Sequence, residues 1–214
     1  MNEPNVAIID YEMCNLFSVN HACLKVGLVP IITRDPVQID AADAVILPGV
    51  GAFGDAMTNL RRFDLIPALD RACRNKPFMG ICLGLQLLFS SSKEFGDHAG
   101  LNLIEGDVEK FPNEMNGRVI KVPHVGWNKA FFDSVEPIFA GVPNESFFYF
   151  VHSYYVNPAN KADIFSSTDY EGIQYCSAIK RENIMAFQFH PEKSGALGLK
   201  IYENWKHLIT ARGN

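Results

Sequence analysis

Phe78-Met79-Gly80-Ile81-Cys82-Leu83-Gly84-Leu85-Gln86 is the stretch on which the reading of the chain turns. It follows Pro77, opens as a short apolar run, and continues through Leu87, Leu88 and Phe89 at helical spacing. The pattern predicts a buried strand over Phe78–Ile81 running directly into a helix, with Cys82 on the turn. Gly80 and Gly84 flank the cysteine in a G-x-C-x-G arrangement, as a sharp strand-to-helix turn with close backbone passage requires. Such a turn lifts the sulfur above the sheet edge, at a helix N-terminus whose dipole favours thiolate. A cysteine among apolar residues can equally be a small buried hydrophobe, so the surrounding chain has to separate the two readings.

Upstream, Val6–Asp10 reads as a strand apolar on both faces. Leu16, Val19, Cys23 and Val26 recur at helical spacing between Asn15 and Gly27. Val29–Thr33 and Ala44–Leu47 read as further strands, and Met57, Leu60, Ile66, Leu69, Ala72 and Cys73 as one or two helices. Strands alternating with helices predict an α/β fold with a parallel sheet. Beyond about residue 93 the texture changes. Short strands are predicted around Glu105–Val108, Arg118–Val122, Ala130–Phe132, Phe147–Val151 and Tyr154–Val156, separated by turn residues such as Asn116-Gly117 and Asn157-Pro158. Ser177–Lys180 and Ile184–Phe189 read as a hairpin, and a last helix carries Ile201, Tyr202, Trp205, Leu208 and Ile209 on one face. The expectation is one domain over residues 1–214: a mixed, mostly parallel sheet flanked by helices, with antiparallel strands added by the second half.

Three further stretches bear on chemistry. In Ala186-Phe187-Gln188-Phe189-His190-Pro191-Glu192 a strand-like run ends at a histidine, and proline blocks its continuation. A cysteine nucleophile needs a base, and the base needs an acceptor on its second nitrogen. Cys82, His190 and Glu192 supply those three groups, and strand C-termini of a parallel sheet share an edge. Pro48-Gly49-Val50-Gly51-Ala52-Phe53-Gly54 follows a strand and satisfies G-x-G-x-x-G. It follows the third strand rather than the first and lacks an acidic residue ending a strand about twenty positions later. The loop's amides, with that of Leu83, can instead donate to a developing oxyanion. Gln86, one helical turn beyond Cys82, lies on the same face as the sulfur. Phe147–Tyr155 is dense in aromatics and reads as a core strand. Its His152-Ser153 pair can line a pocket, while His124 in Val122–Asn128 reads equally well as structural.

Composition excludes several classes. Net charge is −5 with no basic stripe, which disfavours nucleic acid. Five widely spaced cysteines form no C-x-x-C pair, so neither a metal site nor a disulfide framework is suggested, and reduced thiols in the cytoplasm fit. Met1–Pro4 carries no basic leader, and no apolar run is long enough for a bilayer.

Gly80–Gln86 together with Phe189-His190-Pro191-Glu192-Lys193-Ser194 resembles the class I, or triad, glutamine amidotransferases. Pro48–Met57, Val122–Asn128 and Tyr149–Tyr154 narrow the resemblance to the branch that forms the glutaminase subunits of imidazole glycerol phosphate synthase. The resemblance covers nearly the whole chain. It implies hydrolysis of L-glutamine to glutamate and ammonia without a cofactor, with Cys82 forming the thioester, His190 as base and acid, and Glu192 orienting it. It implies an oxyanion hole from Val50, Gly51 and Leu83, and glutamine contacts from Gly49, Gln86, Ser153 and Tyr154. It also implies a separate (β/α)8-barrel synthase subunit that receives the ammonia in trans, with Tyr149 and Lys193 near that interface. One departure stands out: the family's Tyr-Gly-x-Gly-Asn-Leu is here Tyr11-Glu12-Met13-Cys14-Asn15-Leu16. Both glycines are replaced in a loop near the partner face, which leaves open a paralogous glutaminase that serves amidation of a surface-polysaccharide sugar. The alternative of a different class is a non-catalytic dinucleotide-binding module built on the Gly49–Gly54 loop.

Overall fold

A computed structural model describes residues 3–115, 117–133 and 135–212. β1 (Asn5–Ile9), β2 (Val29–Thr33), β3 (Ala44–Leu47), β4 (Phe78–Ile81) and β15 (Ile184–Phe187) lie parallel in the order β2-β1-β3-β4-β15. β1, β3 and β4 are apolar on both faces because both faces are covered. Ala7, Ile9, Val45, Leu47 and Phe78 pack under α3 (Phe53–Arg62) and α4 (Ile66–Asn75). Val6, Ile8, Ala44, Ile46, Met79 and Ile81 pack under α1 (Leu16–Lys25) and α6 (Gly195–Arg212). The Asn15 side chain caps α1 by accepting from the Ser18 amide at 3.4 Å. The predicted face of α6 is the one that enters this second layer.

The second half extends the sheet with mainly antiparallel partners, the β5–β7 pair alone in this extension being parallel. β5 (Phe89–Ser92), β6 (His98–Ala99), β7 (Ile104–Lys110), β12 (Tyr154–Pro158) and β14 (Ile173–Arg181) continue it in the order β15-β14-β12-β7-β5-β6. β14 and β15 form the predicted hairpin, closed by Glu182-Asn183. β10 (His124–Phe132) pairs with β11 (Ser146–His152) and with β13 (Ile164–Tyr170), and β13 joins the sheet through β14. β8 (Glu114–Met115) and β9 (Arg118–Val119) form a separate two-stranded ribbon. The architecture is the mixed α/β sheet that the sequence predicts.

Several local expectations fail for identifiable reasons. The helix after the cysteine, α5 (Leu83–Leu87), stops early and Phe89 begins β5. The returning chain claims its last carbonyls: Leu101 donates to Leu87 at 2.9 Å, and Leu103 and Ile104 donate to Leu88. The strand predicted over Arg118–Val122 is confined to Arg118–Val119. Asn157-Pro158 is the end of β12, opposite Asp107 and Gly106, rather than a turn. Asn116 of the predicted Asn116-Gly117 turn, like Met1 and Asn2, lies outside the described residues. α2 (Pro36–Ala41), which the apolar pattern does not announce, is set by Asp35 capping the Val37 amide and Pro36 at the first helical position.

Candidate active site

β4 and β15 are neighbours, with Ile81 opposite Phe187, so the chain leaves both strands at one edge. The Cys82 amide donates to the Phe187 carbonyl at 2.7 Å, tying the two exits together. Cys82 holds φ 53° and ψ −109°, a conformation that L-residues rarely adopt. Gly84 cannot carry a side chain, because a Cβ there would overlap the Leu47 carbonyl. The turn therefore packs against β3 while the sulfur reaches a cleft of about 300 Å³.

His190 lies on the other exit. Its amide donates to the Tyr149 carbonyl at 2.9 Å, and the Ser194 hydroxyl donates to its carbonyl at 2.7 Å. Its Nδ1–H donates to Glu192 Oε1 at 2.8 Å, with both side chains buried. That contact fixes the tautomer and leaves Nε2, which has no hydrogen-bond partner of its own, on the cleft side where Cys82 and His190 both line the wall. Burial opposes the imidazolium, but the neighbouring Cys82 and then Glu192 outweigh it, and His190 is pushed up to about 10.

The cleft gathers Val50, Gly51, Leu83, Gln86, Ser153 and Tyr154, all singled out in the sequence. Gly49 is buried just behind, in a small void beside His190 and Glu192. Tyr149 and Lys193 stay outside the cleft. Tyr149 is half-buried and sets its ring edge-on to the exposed Trp127 at 6.2 Å, and Lys193 ends the 3-10 turn that begins at Pro191. Val50 departs from expectation. Its amide donates to the Met13 carbonyl at 2.9 Å, so in this conformation it is not offered to an oxyanion. Gly51 takes φ 99°, which glycine permits freely.

Met13 belongs to the loop that departs from the family pattern. Glu12 there adopts φ 69°, the left-handed region that costs a non-glycine residue about 1–2 kcal/mol. Its carboxylate pairs with Arg34 at 3.1 Å and Arg62 at 3.4 Å. Both pairs are solvent-exposed and therefore weak. The Cys14 thiol points at the Ile9 and Pro48 carbonyls, and burial pushes it up to about 11.

Two further residues of the site carry no local sequence signal. Glu94 is a half-buried carboxylate on the cleft wall, raised from its usual range first by burial, with the Phe53 amide donating to it at 2.7 Å. Nothing in Ser92-Lys93-Glu94 signals this role, which arises from the chain's return to α3. Glu94 also settles the Gly49–Gly54 loop: a carboxylate occupies the N-terminus of α3, where a pyrophosphate would have to sit, and the dinucleotide reading fails on charge. The second residue is Gln188, fully buried behind the sulfur.

A family model for class-I glutamine amidotransferases matches residues 7–206. "Imidazole glycerol phosphate synthase subunit HisH" of Syntrophotalea carbinolica is 48% identical over 203 residues, 94% of this chain and 98% of that protein. The protein of the same name from Moorella thermoacetica is 47% identical over 210 residues, 98% of this chain and 97% of its own. Among solved structures, a putative GMP synthase protein from Thermoplasma acidophilum superimposes with a TM-score of 0.73 at 20% identity, covering 100% of this chain and 97% of that one. The structure of PurLQS from Thermotoga maritima does so with a TM-score of 0.71 at 18% identity, covering 99% and 100%. These two show the shared fold.

Proposed function

The chain belongs to the class-I glutamine amidotransferase family, and on that premise we propose that it is the glutaminase subunit of imidazole glycerol phosphate synthase in histidine biosynthesis. It hydrolyses L-glutamine and passes the ammonia to a (β/α)8-barrel synthase subunit in trans. The names of the two relatives favour this branch over amidation of a surface sugar. Residues 1–214 act as one amidotransferase domain. Five free cysteines suit the reducing cytoplasm, and no described helix is long and apolar enough to cross a membrane.

In this reading Cys82 attacks the side-chain amide carbon of glutamine as His190 Nε2 takes the thiol proton. The tetrahedral oxyanion is held by amides of Leu83 and Gly51. Collapse breaks the C–N bond, and His190 returns its proton to the leaving nitrogen, releasing ammonia and leaving a glutamyl thioester. His190 then draws a proton from water, which adds to the thioester. The C–S bond breaks, glutamate leaves, and the sulfur recovers its proton. Glu192 keeps Nδ1 protonated and the ring in register throughout. Glu94 takes the α-ammonium of glutamine. Gln86 spends both amide hydrogens on protein acceptors, which leaves its Oε1 for the substrate.

The observation that carries this reading is the buried Glu192–His190 pair with its free Nε2 on the same cleft wall as the strained cysteine. The Val50 amide has to leave the Met13 carbonyl before the oxyanion hole is complete, and docking of the partner supplies that change. The outer face of β10–β11, where Val125, Trp127 and Phe147 are exposed beside Tyr149, suits such docking. The test is ammonia release from glutamine with and without the purified synthase subunit. Turnover that is weak alone and rises on adding the subunit supports the proposal; equally fast turnover without the subunit contradicts the role given to the Met13 contact.

A further inference from the structure

The amide of Gln188 lies behind the nucleophile, and its orientation is forced by a chain of contacts that ends on a backbone carbonyl. Tyr154 O can only accept, so Gln86 must present Nε2 to it, at 2.9 Å. The second hydrogen of that nitrogen then goes to Gln188, 3.1 Å away, which must present Oε1. Gln188 is left with Nε2–H facing Cys82 Sγ at 3.7 Å. Flipping either amide would set oxygen against oxygen or N–H against N–H, so the assignment does not depend on distinguishing the two atoms. The only other hydrogen bond made by the sulfur among the described residues is to the Val151 carbonyl at 3.8 Å, an acceptor that can stabilise a thiol but not a thiolate. Gln188 is completely buried and does not line the cleft, so its side chain is spent on the sulfur rather than on a substrate.

We propose that Gln188 is a catalytic residue that donates a fixed hydrogen bond to the Cys82 sulfur and assists its departure from the thioester. The proposal rests on the glutaminase reading. In the second half of the reaction the tetrahedral carbon expels sulfur: the C–S bond breaks, the electron pair stays on sulfur, and His190 then supplies the proton. A donor already aimed at the sulfur stabilises the charge as it forms, because a less basic thiolate leaves faster. The same contact stabilises the thiolate that forms in the first half of the reaction, once His190 has taken the thiol proton. No proton or electron passes through Gln188.

The test is the pH dependence of Cys82 alkylation by iodoacetamide in the full chain, followed on the Cys82 peptide by mass spectrometry. In Gln188→Leu the midpoint should rise by about one unit, a roughly tenfold slower reaction at a fixed pH below it. Gln188→Glu keeps the shape but sets a charged acceptor against sulfur, and its midpoint should rise further. Gln86→Leu keeps Gln188 but frees its amide to turn, and should give a smaller rise. An unchanged midpoint in Gln188→Leu, or equal shifts for the leucine and glutamate variants, overturns the proposal. Should a Gln188 variant fail to fold, an unchanged midpoint in Gln86→Leu does the same. None of these readings uses glutamine, so absent ammonia release in the unmodified complex would sink the glutaminase assignment separately.

Discussion

Cys82 shares its cleft with two buried histidines whose proton affinities are shifted in opposite directions, and the contrast shows how one fold keeps a reactive group and an inert group beside one sulfur. His190 meets the Cys82 sulfur and the Glu192 carboxylate, and is pushed up to about 10. His152, also buried, is pushed down to about 3: burial dominates, the hydrogen bond to the Tyr154 carbonyl pulls the other way, and the nearby His124 and His190 add smaller downward pushes. Burial itself lowers both. What differs is the partner, because only a carboxylate and a nucleophilic sulfur carry charge enough to reverse the effect. His152 Nδ1–H donates to the Tyr154 carbonyl at 2.8 Å, and its Nε2 accepts from the Tyr175 hydroxyl at 3.2 Å. That hydroxyl accepts from His124 Nδ1–H at 3.3 Å, and His124 Nε2 accepts from Asn128 at 3.4 Å. The chain closes only while both imidazoles are neutral, and burial lowers His124 to about 4. It terminates on the carbonyl that orients Gln86, so the inert side sets the geometry in which the reactive side works.

The sharpest break of this contrast is His190→Asn, which removes the base. Glutamine-dependent ammonia release in the complex should fall by about 10⁴-fold or more. Glu192→Gln comes next: it keeps the shape but removes the charge, and turnover should fall by about 10²–10⁴-fold. Losing that carboxylate lowers the proton affinity of His190, so the pH–rate profile should also move toward lower pH. Glu94→Gln should act on binding, raising KM for glutamine by about ten- to a hundredfold with kcat little changed.

The smallest effect lies on the inert side and appears in stability. A histidine whose folded value is lowered stays neutral while the unfolded chain takes up its proton. Stability conferred by the neutral form is therefore present above pH 6.5 and is lost as pH falls toward about 3 for His152 and about 4 for His124. Each histidine contributes a slope of about 1.4 kcal/mol per pH unit in that window. Urea unfolding at pH 6.5, 5.5 and 4.5 should show His152→Gln with a slope shallower by about one proton. An unaltered slope would mean that His152 is not held neutral.

The sequence announces the reactive side better than the inert one. β1, β3 and β4 are legible because strands covered on both faces are continuously apolar, and their residue ranges match the prediction closely. Cys82, His190 and Glu192 are legible because glycines and a proline mark the two turns that hold them. β13 is not legible in the sequence because its inward face carries Ser166 and Thr168, whose burial leaves no apolar alternation. β10 is longer than predicted for a similar reason, with His124, Gly126 and Asn128 on the face turned to the core side of the β10–β11 pair. Gln188 and Glu94 owe their roles to residues more than 40 positions away, Cys82 and Gln86 for one and Phe53 for the other, and no local pattern encodes that. The bond between the Val50 amide and Met13 was equally hidden, since it joins two loops that only the fold brings together.

Everything proposed for the cleft depends on Cys82 being the nucleophile that releases ammonia from glutamine. That role is tested most directly by Cys82→Ala in complex with the synthase subunit, with ammonia from glutamine and acceptor turnover on added ammonium salt measured in the same preparation. Glutamine-dependent ammonia should fall to background while the ammonium-driven reaction proceeds undiminished; unchanged release of ammonia from glutamine in that variant would rule out Cys82 as the nucleophile.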